Sequence, residues 1–212
     1  YNLGRNYPAY KFTGLIMPLM MLGLLLLLII RPLVPGGAPF FSAKGPGSQH
    51  APIIISFAIA FFIGIFAQRT RFCTMGAVRD IILMRDFHLA SGVIGLLIFA
   101  FLSNLVLGQF KPGFIGQPIA HTNQLWNFLG MVLAGLAYAL AGGCPGRQLF
   151  LSGEGDIDAG VFVIGMIVGA GFAHNFGVAA SPTGIGPWSA FAVIAGILFC
   201  IATGVFMRKK IA

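Results

Sequence analysis

Six apolar runs, at 12–30, 52–68, 89–107, 125–141, 159–180 and 187–207, take up most of the chain and limit what it can fold into. Each is near the roughly 20 residues that an α-helix needs to cross about 30 Å of hydrocarbon. Backbone in lipid finds no water, so each run must satisfy its hydrogen bonds internally, as a helix. The expected fold is all-α: a polytopic transmembrane bundle of about six spans in a single integral membrane domain, 1–212. Composition agrees, with 58% of residues hydrophobic and only 8% charged, against about 25% charged in soluble domains. A lipid bilayer is the expected solvent.

Arg5 and Lys11 before the first run also suit a signal peptide, whose apolar core is about 7–15 residues long. This run has 19, so a retained span is expected. The proline- and glycine-rich connection at 31–51 reads as an external loop. The net charge of +8 does not indicate nucleic acid, because the basic residues lie at the ends of apolar runs and form no stripe. They report orientation instead. If all six runs cross, one side holds Arg5, Lys11, Arg69, Arg71, Arg79, Arg85, Arg147, Arg208, Lys209 and Lys210, and the other Arg31, Lys44 and Lys111. Ten against three makes the first side the expected cytoplasmic one, with both termini and both cysteine turns on or toward it; the cell inner membrane is the expected location. The chain opens on Tyr1 and not on methionine, so a longer parent chain is expected.

Two interruptions stand out. Arg71-Phe72-Cys73-Thr74-Met75-Gly76-Ala77-Val78-Arg79-Asp80 follows the second run. Seventy-one residues on, Gly142-Gly143-Cys144-Pro145-Gly146-Arg147 follows the fourth, with Gly153-Glu154-Gly155-Asp156 beyond it. The same offset pairs Gly64 with Gly135, Phe101 with Phe172 and Asn104 with Asn175. In so skewed a composition identity alone proves little. The matched cysteine and asparagine, within matching hydropathy, suggest two helix-break-helix repeats at 52–107 and 125–180. Ile81–Met84 is apolar enough to belong to a re-entrant half-helix, which is tolerated only inside protein or beside a water-filled cavity.

For each polar residue a structural reading stands beside a functional one. Free cysteine is usually a small buried hydrophobe, and Cys200, mid-run, fits that. Cys73 and Cys144 lie at helix breaks near arginine, where a thiol can meet a polar ligand. Arg71, Arg79 and Arg147 either mark the cytoplasmic side or form an anion-attracting rim. Arg147, alone in its turn and three residues after Cys144, is the better rim candidate. Asn104, His174 and Asn175 either line a path or tie helices together. Small residues at 165, 169, 173 and 177 make a face on which another helix can pack closely. Glu154, Asp156 and Asp158 form no calcium loop and are expected to cap the following helix. No metal or cofactor site is expected.

The stretches Gln68–Asp80, Gly142–Leu149 and Gly153–Asp156 resemble the YeeE/YedE family, and most closely its branch associated with selenium metabolism. The resemblance covers roughly residues 52–207. It implies a membrane transporter of small sulfur species such as thiosulfate, passed along a central path by the thiols of Cys73 and Cys144. It also implies a cytoplasmic sulfur-carrier protein as a partner, and an N-terminal half that this chain lacks, because family members are nearly twice as long.

A transporter of a small sulfur- or selenium-containing anion, and not an enzyme, is therefore expected. Its relay would be Cys73 and Cys144, with Arg147, Arg71, Arg79, Asn104, His174 and Asn175 around the path. Two alternatives stay open. A membrane thiol oxidoreductase needs two cysteines within disulfide reach, and the spacing offers no CxxC. A non-catalytic partner subunit would be held by the small-residue face of the fifth run.

Overall fold

Helices follow the apolar runs closely. The computed structural model describes residues 13–30, 51–114, 117 and 121–207. The helices are α1 (Ile16–Ile30), α2 (Ile53–Thr70), α3 (Thr74–Met84), α4 (His88–Val106), α5 (Gln124–Leu140), α6 (Pro145–Gly153), α7 (Ile157–Asn175) and α8 (Ser189–Phe206). The expected loop at 31–50 lies outside the described residues, as do Arg5, Lys11, Arg31, Lys44, Arg208, Lys209 and Lys210.

Among the described residues, five stretches are long and apolar enough to cross a membrane: Ile53–Met84, His88–Val106, Gln124–Gly153, Ile157–Asn175 and Ser189–Phe206. The first apolar run yields less helix than its length suggested. α1 has 15 residues, and Thr13–Leu15 ahead of it wind as a short 3-10 turn. Pro18 sits in the first turn of α1, where its missing N–H costs no hydrogen bond.

Each cysteine break is followed by a short helix. α3 has 11 residues and α6 has nine, or about 16 Å and 14 Å at 1.5 Å per residue. Neither crosses 30 Å of hydrocarbon alone. α3 packs mainly on α4, α6 on α7 and α5 on α8, while smaller contacts join α2 to α6, α3 to α5 and α1 to α6.

Most large apolar side chains face outward, as lipid permits and water would not. Ile54 is 84% exposed and Phe206 is 86%. Small residues instead make the interior: Ala67, Ala77, Ala90 and Ala159 are buried, with Cys73, Cys144, Cys200 and Val163.

The small-residue face of α7 does not pack as its pattern suggested. Gly165 and Gly169 are exposed, and a Cβ at either would meet nothing within 4 Å. Close approach occurs between α5 and α8 instead. A Cβ on Gly196 would lie 2.9 Å from Leu133 Cδ2, and one on Gly204 would lie 3.7 Å from Leu140 Cδ2. A glycine helps only where the facing helix supplies a side chain to fill its groove, and the leucines of α5 do so.

Candidate functional site

The two cysteine turns share one backbone device. α2 ends with Arg71 in the left-handed region at φ 51°, and α5 with Gly142 at φ 73°. In the first turn Arg71 N–H donates to Gln68 O at 3.2 Å and Phe72 N–H to Ala67 O at 3.0 Å. In the second, Gly142 N–H donates to Ala139 O at 3.3 Å and Gly143 N–H to Tyr138 O at 3.2 Å. Both are Schellman closures, which satisfy carbonyls left unpaired at a helix C-terminus. Every pair of corresponding atoms is 71 residues apart. Glycine takes the left-handed region freely, whereas arginine there costs free energy.

The chain leaves each closure extended, and the cysteine becomes the N-cap of the next helix. Cys73 (φ −155°, ψ 116°) caps α3, with Sγ accepting from Gly76 N–H at 3.2 Å. Cys144 (φ −72°, ψ 162°) precedes α6, and Pro145 at the first helical position needs no cap partner.

The tertiary fold brings the two turns together. The Cys144 thiol lies near Thr74, the Cys73 thiol and the Arg147 backbone. Both thiols are free and buried, at 8% exposure for Cys73 and 5% for Cys144. The sequence offers no CxxC pair, yet the fold brings the two thiols near one another. Cys200 is buried within α8, as its mid-run position suggested.

Arg147, in the first turn of α6, is largely enclosed, with an 18% exposed side chain. Its Nη1 has no hydrogen-bond partner, and Glu154 Oε1 stands 3.9 Å away. Arg79 differs, being 54% exposed with its guanidinium on Asp80: Nε and Nη2 each lie 2.9 Å from Oδ1. Arg71 contributes the left-handed residue of its turn. Asn104, His174 and Asn175 are exposed near the C-terminal ends of α4 and α7 and do not join the thiols. Asn175 Nδ2 donates to Gly171 O of its own helix at 2.7 Å.

The acidic group divides. Asp156 caps α7, its Oδ1 accepting from Ala159 N–H at 3.0 Å, and Asp158 lies in the first turn. Glu154 takes no part in that cap and stands at the C-terminus of α6. Among the described residues no three His, Cys, Asp or Glu side chains gather as a metal site would require.

Three residues escaped sequence reasoning. Thr74 was read only as part of its turn. Buried Gln148 (6% exposed) donates from Nε2 to Ala141 O at 2.8 Å, tying the start of α6 to the end of α5. Asp80, 7% exposed, holds Arg79. A glutamine four residues after a cysteine at a helix start was the available signal for Gln148, and a carboxylate next to Arg79 was the signal for Asp80.

The family described as sulphur transport matches this chain over residues 69–207, a stretch that contains both turns. The thiosulfate transporter TsuA of Spirochaeta thermophila is 35% identical over 102 residues, which is 46% of this chain and 29% of that protein. The match thus spans less than a third of that relative's length. No solved structure matches.

Proposed function

This chain belongs to the sulphur-transport family, and from that premise we propose that it carries a small thiosulfate-like anion across the membrane, passing it between the thiols of Cys73 and Cys144. The observation that carries this reading is the convergence of the two buried thiols at the N-termini of α3 and α6. Helix N-termini present unpaired N–H groups and a partial positive charge, which suit an anion. A thiol is a weak donor and a polarisable partner for a soft sulfur or selenium atom. The Thr74 hydroxyl and the unpaired Arg147 Nη1 suit the hard, oxygen-bearing end of the same ligand. Identity to a thiosulfate transporter supports this substrate class.

We place the protein in the cytoplasmic membrane with both turns toward the cytoplasm. Arg69, Arg71, Arg79, Arg85 and Arg147 all fall in or beside those turns, and Lys111 lies in the connection between α4 and α5.

The test is uptake of labelled thiosulfate into cells carrying serine variants, with expression checked. Serine keeps a donor but replaces a soft atom with a hard, well-solvated one. Cys73→Ser and Cys144→Ser should each impair uptake with the fold intact, and Cys200→Ser should leave it nearly unchanged. Full uptake in the Cys73/Cys144 double variant sinks the relay. The same convergence favours one other reading, a dithiol–disulfide couple that moves electrons. Trapping a mixed disulfide during turnover would select it.

A further inference from the structure

Arg147 and Glu154 occupy opposite ends of α6, and each sits at the end that disfavours its charge. Arg147 is the third residue of the helix, where exposed N–H groups make the surroundings positive. Glu154 is the C-cap, where exposed carbonyls make them negative. About 10 Å of helix axis separates the two residues, yet their side chains lean together until Nη1 and Oε1 are 3.9 Å apart. At that distance they attract without forming a hydrogen bond. Nη1 therefore stays enclosed and unpaired, which is costly for a charged donor. The other nearby carboxylates are committed elsewhere: Asp156 caps α7 and Asp80 holds Arg79.

From this geometry we infer that Glu154 is an internal counter-anion for Arg147, displaced when the oxygen-bearing end of the substrate binds, so that Glu154 sets substrate affinity. The inference rests on the proposed carrier function and adds a residue to it. An oxyanion at Arg147 pairs with the guanidinium through charge-assisted bonds at a helix N-terminus that already favours anions. Glu154 offers only a long contact from the wrong end of the helix. It is 37% exposed, so water stabilises it once it is released.

The test is binding of thiosulfate and of sulfate to the purified full chain in lipid nanodiscs, with transport kinetics measured alongside. Glu154→Gln should lower the thiosulfate Kd about three- to fivefold, the upper range for a part-exposed ion pair. KM should fall without a rise in Vmax. Glu154→Ala, checked for an unchanged melting temperature, should do the same. In an Arg147→Gln background the gain should vanish, which a purely structural role for Glu154 would not produce. Wild-type affinity in both Glu154 variants, or a gain that survives Arg147→Gln, overturns the inference. Tighter binding in Glu154→Gln beside full uptake in the double cysteine variant leaves the counter-anion standing and removes the relay. Cysteine-dependent uptake with no effect of Glu154 does the reverse. Failure of the wild type to bind either anion overturns both.

Discussion

Gln148→Met tests whether a single side chain holds the Cys144 turn in shape. Gln148 is 6% exposed, and its Nε2 donates 2.8 Å to the carbonyl of Ala141, the C-cap of α5. That carbonyl is one of the groups a helix end leaves unpaired. Methionine has nearly the same length and volume, so the change removes the bond without opening a large cavity. The loss is about 1–3 kcal/mol, because the buried acceptor is left unsatisfied and not merely re-solvated. For a domain of this size each kcal/mol shifts the melting temperature by about 2–4 °C. The expected fall is roughly 2–12 °C, followed in detergent-purified protein by thermal melting. Uptake should fall as well, because the bond fixes Gly142 and Gly143 and, through them, the Cys144 thiol. A melting temperature within about a degree of wild type together with full uptake would refute this account. The Schellman bonds alone would then hold the turn.

Other expectations concern the frame around the site. Asp156→Ala removes the α7 cap and should cost about 1 kcal/mol, visible as a lower midpoint in thermal melts. Gly186→Ala would drive a Cβ into the carbonyl oxygen of Gly177, with that of Ala179 only 2.9 Å away. Backbone cannot yield as a side-chain tip does, so monodisperse protein should nearly disappear on size exclusion. A reporter active only in the periplasm, fused after Met207, should stay silent; strong activity would invert the proposed orientation.

The extent of α2, α4, α5 and α8 was legible in the sequence because lipid leaves the backbone one solution, whereas α1 and α7 fall short of their apolar runs. α4 and α8 fall within two residues of their apolar runs. The second break was legible too, because paired glycines favour a helix end and Pro145 suits only the first turn of a new helix. The first break was harder to see, since it is closed by Arg71 in a conformation that glycine usually supplies. Only the shared bonding pattern of the two turns, 71 residues apart, shows that they are equivalent. Pairing of helices was illegible for a physical reason. In a bilayer the outward face of a helix is as apolar as its inward face, so periodicity does not say which residues are buried. Within this chain Gly165 and Gly169 of the regular small-residue face of α7 meet no other helix, while Gly196 of α8 meets Leu133 of α5. Asn104, His174 and Asn175 could be read from sequence as path residues or as ties between helices, and in this chain they lie exposed near helix C-terminal ends. The Arg79–Asp80, Arg147–Glu154 and Gln148–Ala141 contacts are local in the sequence, but tertiary structure alone brought Cys73 and Thr74 to Cys144. Such contacts depend on how separate helices stack in three dimensions, and the spacing of residues along one helix does not encode that.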